Sequence, residues 1–297
     1  MKIPNCAGSF VTSVMSDCES LIENSLWPVS PTRFENWHRQ FASKDERFFA
    51  ACLLHQLTVR THKQFEAGLL SLFRGPVSSA LFPEQHDLAL TQMLASRSDP
   101  RIRLVPAICD DDPPTKSGPI VLRRLQRLLG IFGKWLVWPW QAVELINKGA
   151  IDAVVFVDDF LGSGSQFETF FKRWEFPAQV DRTRMIYAPI TAHATGINHV
   201  IGLWPPLRVL TTELLSNDHG FFSDAVWNQV GHGTVTGSDA YAWYAQFAKE
   251  RGIIPRSMGL LGVGELALTY GFAHSTPNNT LPILWYQSST WHPLLER

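Results

Sequence analysis

Two adjacent carboxylates, Asp158 and Asp159, follow an apolar run, Val154-Val155-Phe156-Val157. Phe160 and Leu161 separate them from a segment of small residues, Gly162-Ser163-Gly164-Ser165-Gln166. The valine-rich run reads as a strand buried on both faces, and it is expected to end at the two acids. A loop without bulky side chains lets backbone N–H groups close around an anion. The helix expected from Gln166 to Trp174 adds the free donors and partial positive charge of its N-terminus. Carboxylates repel phosphate, so Asp158 and Asp159 need another partner: sugar hydroxyls, or a metal held by them. A phosphate beside a diol describes a ribose 5-phosphate. The plainer account of the same residues is a doubly wound fold whose central strand happens to end this way.

A second strand–loop–helix junction lies upstream. Arg101 to Cys109 reads as the first core strand, and Ile120 to Leu129 as a helix with Arg123, Arg124 and Arg127 on its polar side. Between them, Lys116, Ser117 and Gly118 could bind a second anion through backbone donors and the lysine charge. An ordinary helix start with an N-capping serine accounts for the same three residues. Asp110-Asp111-Asp112 invites a metal, but adjacent side chains on an extended loop point apart. A solvated acidic turn before Pro113-Pro114 is expected, with Asp110 or Asp111 at most supporting Mg²⁺. His38, His55 and His62 have no cysteine or carboxylate cluster around them and read as surface or capping histidines.

The central stretch resembles the PRPP-binding motif of type I phosphoribosyltransferases: a hydrophobic strand, two acids, two hydrophobics, then a small Gly/Ser/Thr loop. The resemblance implies that Asp158 and Asp159 hold the ribose 2′- and 3′-hydroxyls and engage Mg²⁺ indirectly through them. It implies that Gly162, Ser163, Gly164, Ser165 and Gln166 hold the 5-phosphate, and that Lys116, Ser117 and Gly118 hold the pyrophosphate of PRPP or of a nucleotide ligand. The variant Asp-Asp-Phe-Leu-Gly-Ser-Gly-Ser-Gln is similar to phosphoribosyltransferase-like proteins of bacterial conflict systems, both antiphage and toxin–antitoxin. So are Pro277-Asn278-Asn279-Thr280-Leu281-Pro282 and Trp291-His292-Pro293-Leu294-Leu295. The likeness runs from residue 32 to 297. It implies a defence-operon partner: a helicase, a nuclease or a reverse transcriptase–RNA complex.

The chain departs from that pattern in three ways. Gly162 and Ser163 stand where the family usually has threonines. The segment Gly130 to Trp140 is short and tryptophan-rich, with no evident catalytic loop. No base-recognising hood is identifiable. The expectation is a phosphoribosyltransferase-like effector. The alternatives are a catalytically silent nucleotide sensor or docking subunit, acting as antitoxin or regulator, and a nucleoside hydrolase-like toxin. The Asn278-Asn279 pair suits base or sugar recognition, and equally plain turn chemistry.

The elements that must position these residues imply an α/β fold, a mostly parallel central sheet flanked by helices, with an N-terminal helical region. The expected division is 1–96 for the helical region and 97–297 for the phosphoribosyltransferase-like domain. Helices are expected over Ser16–Leu26, in Thr32–Phe73 (with Ser43 and Glu46 as a capping box), around Glu84–Ser96, over Trp138–Lys148 with Gly149 as C-cap, over His193–Leu203 and over Ser238–Arg251. Further strands are expected over Thr183–Pro189, Leu207–Thr212 and the end of Gly259–Phe272. Strand alternating with helix implies parallel strands, and ligands bind beyond the carboxyl ends of such strands. Both anion loops fall there.

Composition sets limits. The 297 residues are 45% hydrophobic and 18% charged, which suits a folded protein. A net charge of −1 excludes general nucleic-acid binding by charge alone, leaving only a local patch. Scattered Cys6, Cys18, Cys52 and Cys109 fit a reduced cytoplasm without a disulfide framework. The N-terminus lacks a signal-peptide pattern, and no apolar run is long enough to span a membrane. The 11 tryptophans are expected chiefly in the core, with an aromatic pocket or a partner surface as other uses.

Overall fold

The computed structural model describes residues 1–84, 89–113, 115–253, 255 and 258–297. In chain order the helices and strands are α1 (Ala7–Glu23), α2 (Pro31–His38), α3 (Lys44–Gln56), β1 (Thr58–Arg60), α4 (His62–Arg74), α5 (Pro76–Leu81), α6 (Ala89–Ala95) and β2 (Ile102–Pro106). They continue with α7 (Ser117–Leu129), α8 (Pro139–Asn147), β3 (Ala153–Leu161), α9 (Ser165–Arg173), β4 (Arg184–His193) and α10 (Ala194–Leu203). The last are β5 (Arg208–Val209), β6 (Glu213–Leu215), α11 (Asp224–Val230), α12 (Gly237–Glu250), β7 (Tyr270–Phe272) and α13 (Pro282–Trp285). The helix expected around Glu84–Ser96 is represented by α6; residues 85–88 lie outside the described residues.

Two compact units divide the chain: Met1–Lys63 with Ser216–Arg297, and Gln64–Leu215. This division does not follow the expected boundary at 96/97. The N-terminal helices bury their aromatic faces against the last third of the chain: Phe41, Phe48 and Phe49 share a core with Phe221, Trp227, Tyr244, Phe247 and Trp291. Ser43 and Glu46 form the expected capping box at α3. Helix α1 starts at Ala7 rather than Ser16, and β1 interrupts the expected helical stretch to pair in parallel with β7, Thr58 opposite Tyr270. The two asparagines serve the turn: the Asn279 amide donates to the Val263 carbonyl (2.6 Å) and Asn278 Oδ1 accepts from Arg297 (2.7 Å). His62 stacks on His274, and His55 meets the edge of Phe10.

The Gln64–Leu215 unit holds the parallel sheet, ordered β2-β3-β4-β5, with β6 pairing further along β4. Pro106 lies opposite Val157, and Ala153 to Leu161 run alongside Arg184 to Ala192. Alternation along the strands sorts side chains between two faces. Val154, Phe156, Met185 and Tyr187 pack with α8, α9 and α10 through Ile146, Phe167, Phe170, Phe171 and Val200. Phe156 sits at the centre, its ring within 5.8 Å of Phe167 and 4.7 Å of Phe176. Removing such a ring costs about 3–5 kcal/mol, so α9 is firmly seated. On the other face, α7 reaches the centre of the sheet, and Gly68 of α4 lets that helix approach Ile190. Among the described residues no helix is long and apolar enough to cross a membrane.

Candidate functional site

Strand β3 does not stop at its two acids. It stays paired with β4 as far as Leu161, opposite Ala192. Asp158 and Asp159 are therefore consecutive residues inside a strand, and consecutive strand residues face opposite layers. Their side chains leave opposite faces of the strand, yet the two carboxyls stay within side-chain hydrogen-bonding reach of each other. Asp158 points with Phe156 into the aromatic layer: its Oδ2 accepts a hydrogen bond from the Tyr187 hydroxyl at 3.0 Å, and its Oδ1 accepts from the Asp159 N–H at 3.0 Å. The Tyr187 ring is itself stacked on Phe167 at 3.7 Å, which fixes the hydroxyl. Burial, with the neighbouring Asp159 charge adding to it, pushes the Asp158 carboxyl well above the usual range, and the Tyr187 bond only partly offsets this. The Tyr187 hydroxyl is pushed up by burial and by the same carboxylate.

Asp159 faces the α7 layer. Its Oδ1 accepts from the Ser117 hydroxyl at 3.0 Å. The two junctions that the sequence singles out thus meet at one edge of the sheet. Helix α7 begins at Ser117 rather than Ile120, because Pro119 is tolerated in a first helical turn. Lys116 is the residue preceding the helix, and Ser117 and Gly118 are its first two. The Ser117 hydroxyl goes to Asp159 rather than to a helix cap. Gly118 permits contact: a Cβ there would lie 3.3 Å from the Ala107 backbone nitrogen. The Lys116 ammonium donates to Asp112 at 2.5 Å, and the same carboxylate oxygen accepts from the Cys109 N–H at 2.7 Å. Asp110 instead turns outward to Arg173, at 2.6 Å and 2.8 Å. Asp110 and Asp112 therefore have separate partners, and Pro114 lies outside the described residues.

The small-residue loop follows Leu161, about 7 Å along the strand from Asp159 at ~3.3 Å per residue. Gly164, at φ +90°, precedes α9, which starts at Ser165, and no side chain caps the helix. The first intrahelical bond runs from the Glu168 N–H to the Gly164 carbonyl at 2.9 Å, so the N–H groups of Ser165, Gln166 and Phe167 precede it. The Ser163 and Ser165 hydroxyls lie 3.0 Å apart, and Ser165 and Gln166 are exposed. The glycines also serve packing. A Cβ on Gly196 of α10 would sit 2.2 Å from the Gly162 carbonyl oxygen, and one on Gly164 would sit 2.8 Å from the His199 ring. His199 meets Glu168 at 2.6 Å, and Lys172 donates to Glu168 at 2.5 Å. Together these two hold the Glu168 carboxyl below its usual range.

Tyr187, Gly196 and His199 were not among the residues the sequence marked. Only Tyr187 carried a signal: a hydroxyl on a strand expected beside the buried acid, one that could satisfy it. The arrangement can take an anion at the start of α9 and a hydroxyl donor at Asp159, with a lysine close to Ser117. Among the described residues no group of three or more His, Cys, Asp and Glu side chains is disposed to hold a metal ion. Asp158 is enclosed with Tyr187 besides. A magnesium ion carried by a ligand's phosphates and water needs no such group, only one or two carboxylates at most.

A family model described as PRTase-CE matches residues 34–297, nearly the span over which the sequence resemblance runs. No curated protein matches the chain.

Proposed function

Because the chain belongs to the PRTase-CE family, which is phosphoribosyltransferase-like, we propose that its Gln64–Leu215 unit binds a phosphoribosyl ligand, PRPP or a nucleotide, at the C-terminal edge of β3. The observation that carries this is the 3.0 Å hydrogen bond from Ser117 to Asp159, which ties the start of α7 to the central strand. A carboxylate, a lysine-bearing helix start and a Gly/Ser loop thereby share one edge of neighbouring parallel strands. Asp159 accepts from the ribose hydroxyls in exchange for Ser117. The backbone of Gly162 to Gln166, with the Ser163 and Ser165 hydroxyls, holds the 5-phosphate. Lys116, with the backbone of Ser117 and Gly118, holds the diphosphate, to which Mg²⁺ belongs. Asp158 acts through the strand, by its bond to Tyr187, and does not touch ligand. Cleavage at C1 develops oxocarbenium character, as in glycoside hydrolysis, and Lys116 stabilises the leaving diphosphate electrostatically.

The resemblance to conflict-system proteins supports a role as an effector or component of a bacterial antiphage defence system, working in the cytoplasm with a protein partner such as a helicase, nuclease or reverse transcriptase–RNA complex. One observation favours a second reading, a catalytically silent nucleotide sensor or docking subunit. Lys116 is already neutralised by Asp112 at 2.5 Å, and Asp158 is occupied by Tyr187.

Calorimetric titration of Mg²⁺–PRPP into the purified chain tests the site. Asp159→Asn is expected to weaken binding at least ten-fold. Ser165→Asp is compatible with a helix N-terminus but repels phosphate, and is expected to abolish binding. Absence of binding to the wild type, or equal affinity in all three proteins, overturns the assignment. Release of pyrophosphate from bound PRPP separates the enzyme from the sensor.

A further inference from the structure

Most tryptophans in this chain are enclosed, but Trp138 and Trp140 are 43% and 49% exposed. Their indoles are stacked, with centroids 5.4 Å apart and planes 5° from parallel. Trp140 continues the row to Trp174 at 5.7 Å, and Trp174 is anchored by its Nε1–H, which donates to the Ile108 carbonyl at 3.0 Å. The row is held by the edge of the sheet. Leu136 bridges in parallel to Leu104 of the outermost strand, β2, and the Val137 N–H donates to the Leu104 carbonyl at 3.1 Å. Two residues further along each chain, Trp138 comes level with Pro106, at the carboxyl end of β2.

Beside Trp138 lies a groove of about 480 Å³, floored by Pro106, Pro119 and Leu136 and walled by Arg123, Gln126 and Arg127 of α7. That volume suits a small ligand. Arg123 and Arg127 are four apart on one exposed helix face, where like charges repel. Arg124 pairs with Glu66 at 3.5 Å, whereas among the described residues no carboxylate pairs with Arg123 or Arg127. No acid lines the groove. Two uncompensated guanidiniums, an amide and an exposed indole face are complementary to a phosphate joined to a planar base. Guanidiniums bind phosphate with paired donors, and indoles stack on any base. Neither Ser117 nor Asp159 lines the groove, which is made by other side chains of α7.

We infer that this groove is a second nucleotide site, in which a base stacks on Trp138 while a phosphate sits between Arg123 and Arg127. A free nucleotide and a single-stranded nucleic acid both offer that chemistry. The overall charge of −1 does not oppose it, since two local guanidiniums and stacking suffice without a field over the whole surface. Protein hot spots also use tryptophan and arginine, but two unpaired guanidiniums beside an exposed indole face match a phosphate joined to a base.

The test measures fluorescence anisotropy of a short fluorescein-labelled oligothymidylate and an oligouridylate with the full chain. It is run in the wild type and in the Ser165→Asp background, which removes the phosphoribosyl site. Saturable binding is expected in both. Trp138→Ala should weaken it about ten-fold and Trp138→Phe much less, since stacking survives any aromatic. Arg123→Gln with Arg127→Gln should weaken it and lower the slope of log affinity against log salt by about 0.7, the value for one neutralised phosphate on a single strand. Competition by unlabelled mononucleotide at similar affinity assigns the groove to free nucleotides; competition by oligomers alone assigns it to single strands. Both results support the inference. No binding, or binding indifferent to the Trp138 and arginine variants while their melting curves match the wild type, overturns it and leaves the surface to a protein partner. Loss of oligonucleotide binding in Ser165→Asp alone overturns it as well, by moving the contact to the phosphoribosyl site.

Discussion

Replacing Tyr187 with phenylalanine removes a single oxygen from the centre of the sheet. The ring keeps its 3.7 Å stack on Phe167, so packing is nearly unchanged and the hydrogen bond to Asp158 is the main loss. A neutral bond of this kind is worth about 1 kcal/mol, and one to a charged group about 1.5–3 kcal/mol. Which applies depends on pH, because burial and Asp159 raise the Asp158 pKa. An acid whose folded pKa lies above its unfolded value keeps a proton that the unfolded chain releases. Stability is then greatest below the unfolded pKa of about 3.9, falls by at most about 1.4 kcal/mol per pH unit as pH rises towards the folded pKa, and levels off above it. The Tyr187 hydroxyl narrows that window by favouring the carboxylate.

Tyr187→Phe is therefore expected to cost about 1 kcal/mol at a pH low enough to keep Asp158 protonated and about 2–3 kcal/mol at a pH high enough to ionise it in the folded protein. Asp158→Asn abolishes the titration, and in that background the cost of Tyr187→Phe should stay near 1 kcal/mol at both pH values. Urea unfolding of the four proteins at the two pH values measures all of these quantities as differences, so other titrating groups cancel. A Tyr187→Phe deficit that does not grow with pH, or one undiminished beside Asp158→Asn, would refute the account of a buried acid stabilised by one hydroxyl.

Three further outcomes follow from the same geometry. Gly196→Ala brings a Cβ to 2.2 Å from the Gly162 carbonyl oxygen, so helix and loop must separate by about 1 Å; thermal melting should show a loss of about 1–3 kcal/mol, and Mg²⁺–PRPP affinity should fall with it. Unchanged melting would mean that the loop is not seated on α10. Lys116→Met should weaken Mg²⁺–PRPP binding while leaving a ribose 5-monophosphate unaffected, since only the former carries a diphosphate; equal losses for both ligands would remove Lys116 from the diphosphate role. Asp110→Ala breaks an exposed pair with Arg173 and should change stability by less than about 1 kcal/mol by urea titration. A larger loss would show that the acidic loop depends on that clasp.

Much of the machinery was legible because it is local. A valine-rich run, a stretch of small residues and an amphipathic helix each announce themselves within a few positions. So did the capping box at Ser43 and Glu46, and the glycine that ends α8, although the C-cap is Lys148 and Gly149, at φ +64°, follows it. Errors at element ends were also local in cause. The helix expected from Ile120 starts at Ser117, since a first turn accepts Pro119, and Ser165, counted in the loop, opens α9. Strand β1 was not legible at all, since three residues between helices become a strand only by pairing with β7 far along the chain.

The sequence alone determined that two carboxylates, a Gly/Ser loop and a lysine-bearing helix start belong to parallel strand–helix units, because strand and helix periods are properties of short segments. Only the tertiary structure decided how far β3 extends, because a strand ends where its partner stops pairing, and β4 carries it on to Leu161. That extension places Asp158 and Asp159 within the sheet, on opposite faces. Tyr187 then neutralises the demand of one, and Ser117 reaches the other. Burial is likewise decided by what lies opposite: Trp37, Trp227 and Trp291 are enclosed, while Trp138 and Trp140, no different in sequence, stand on an open edge beside two arginines.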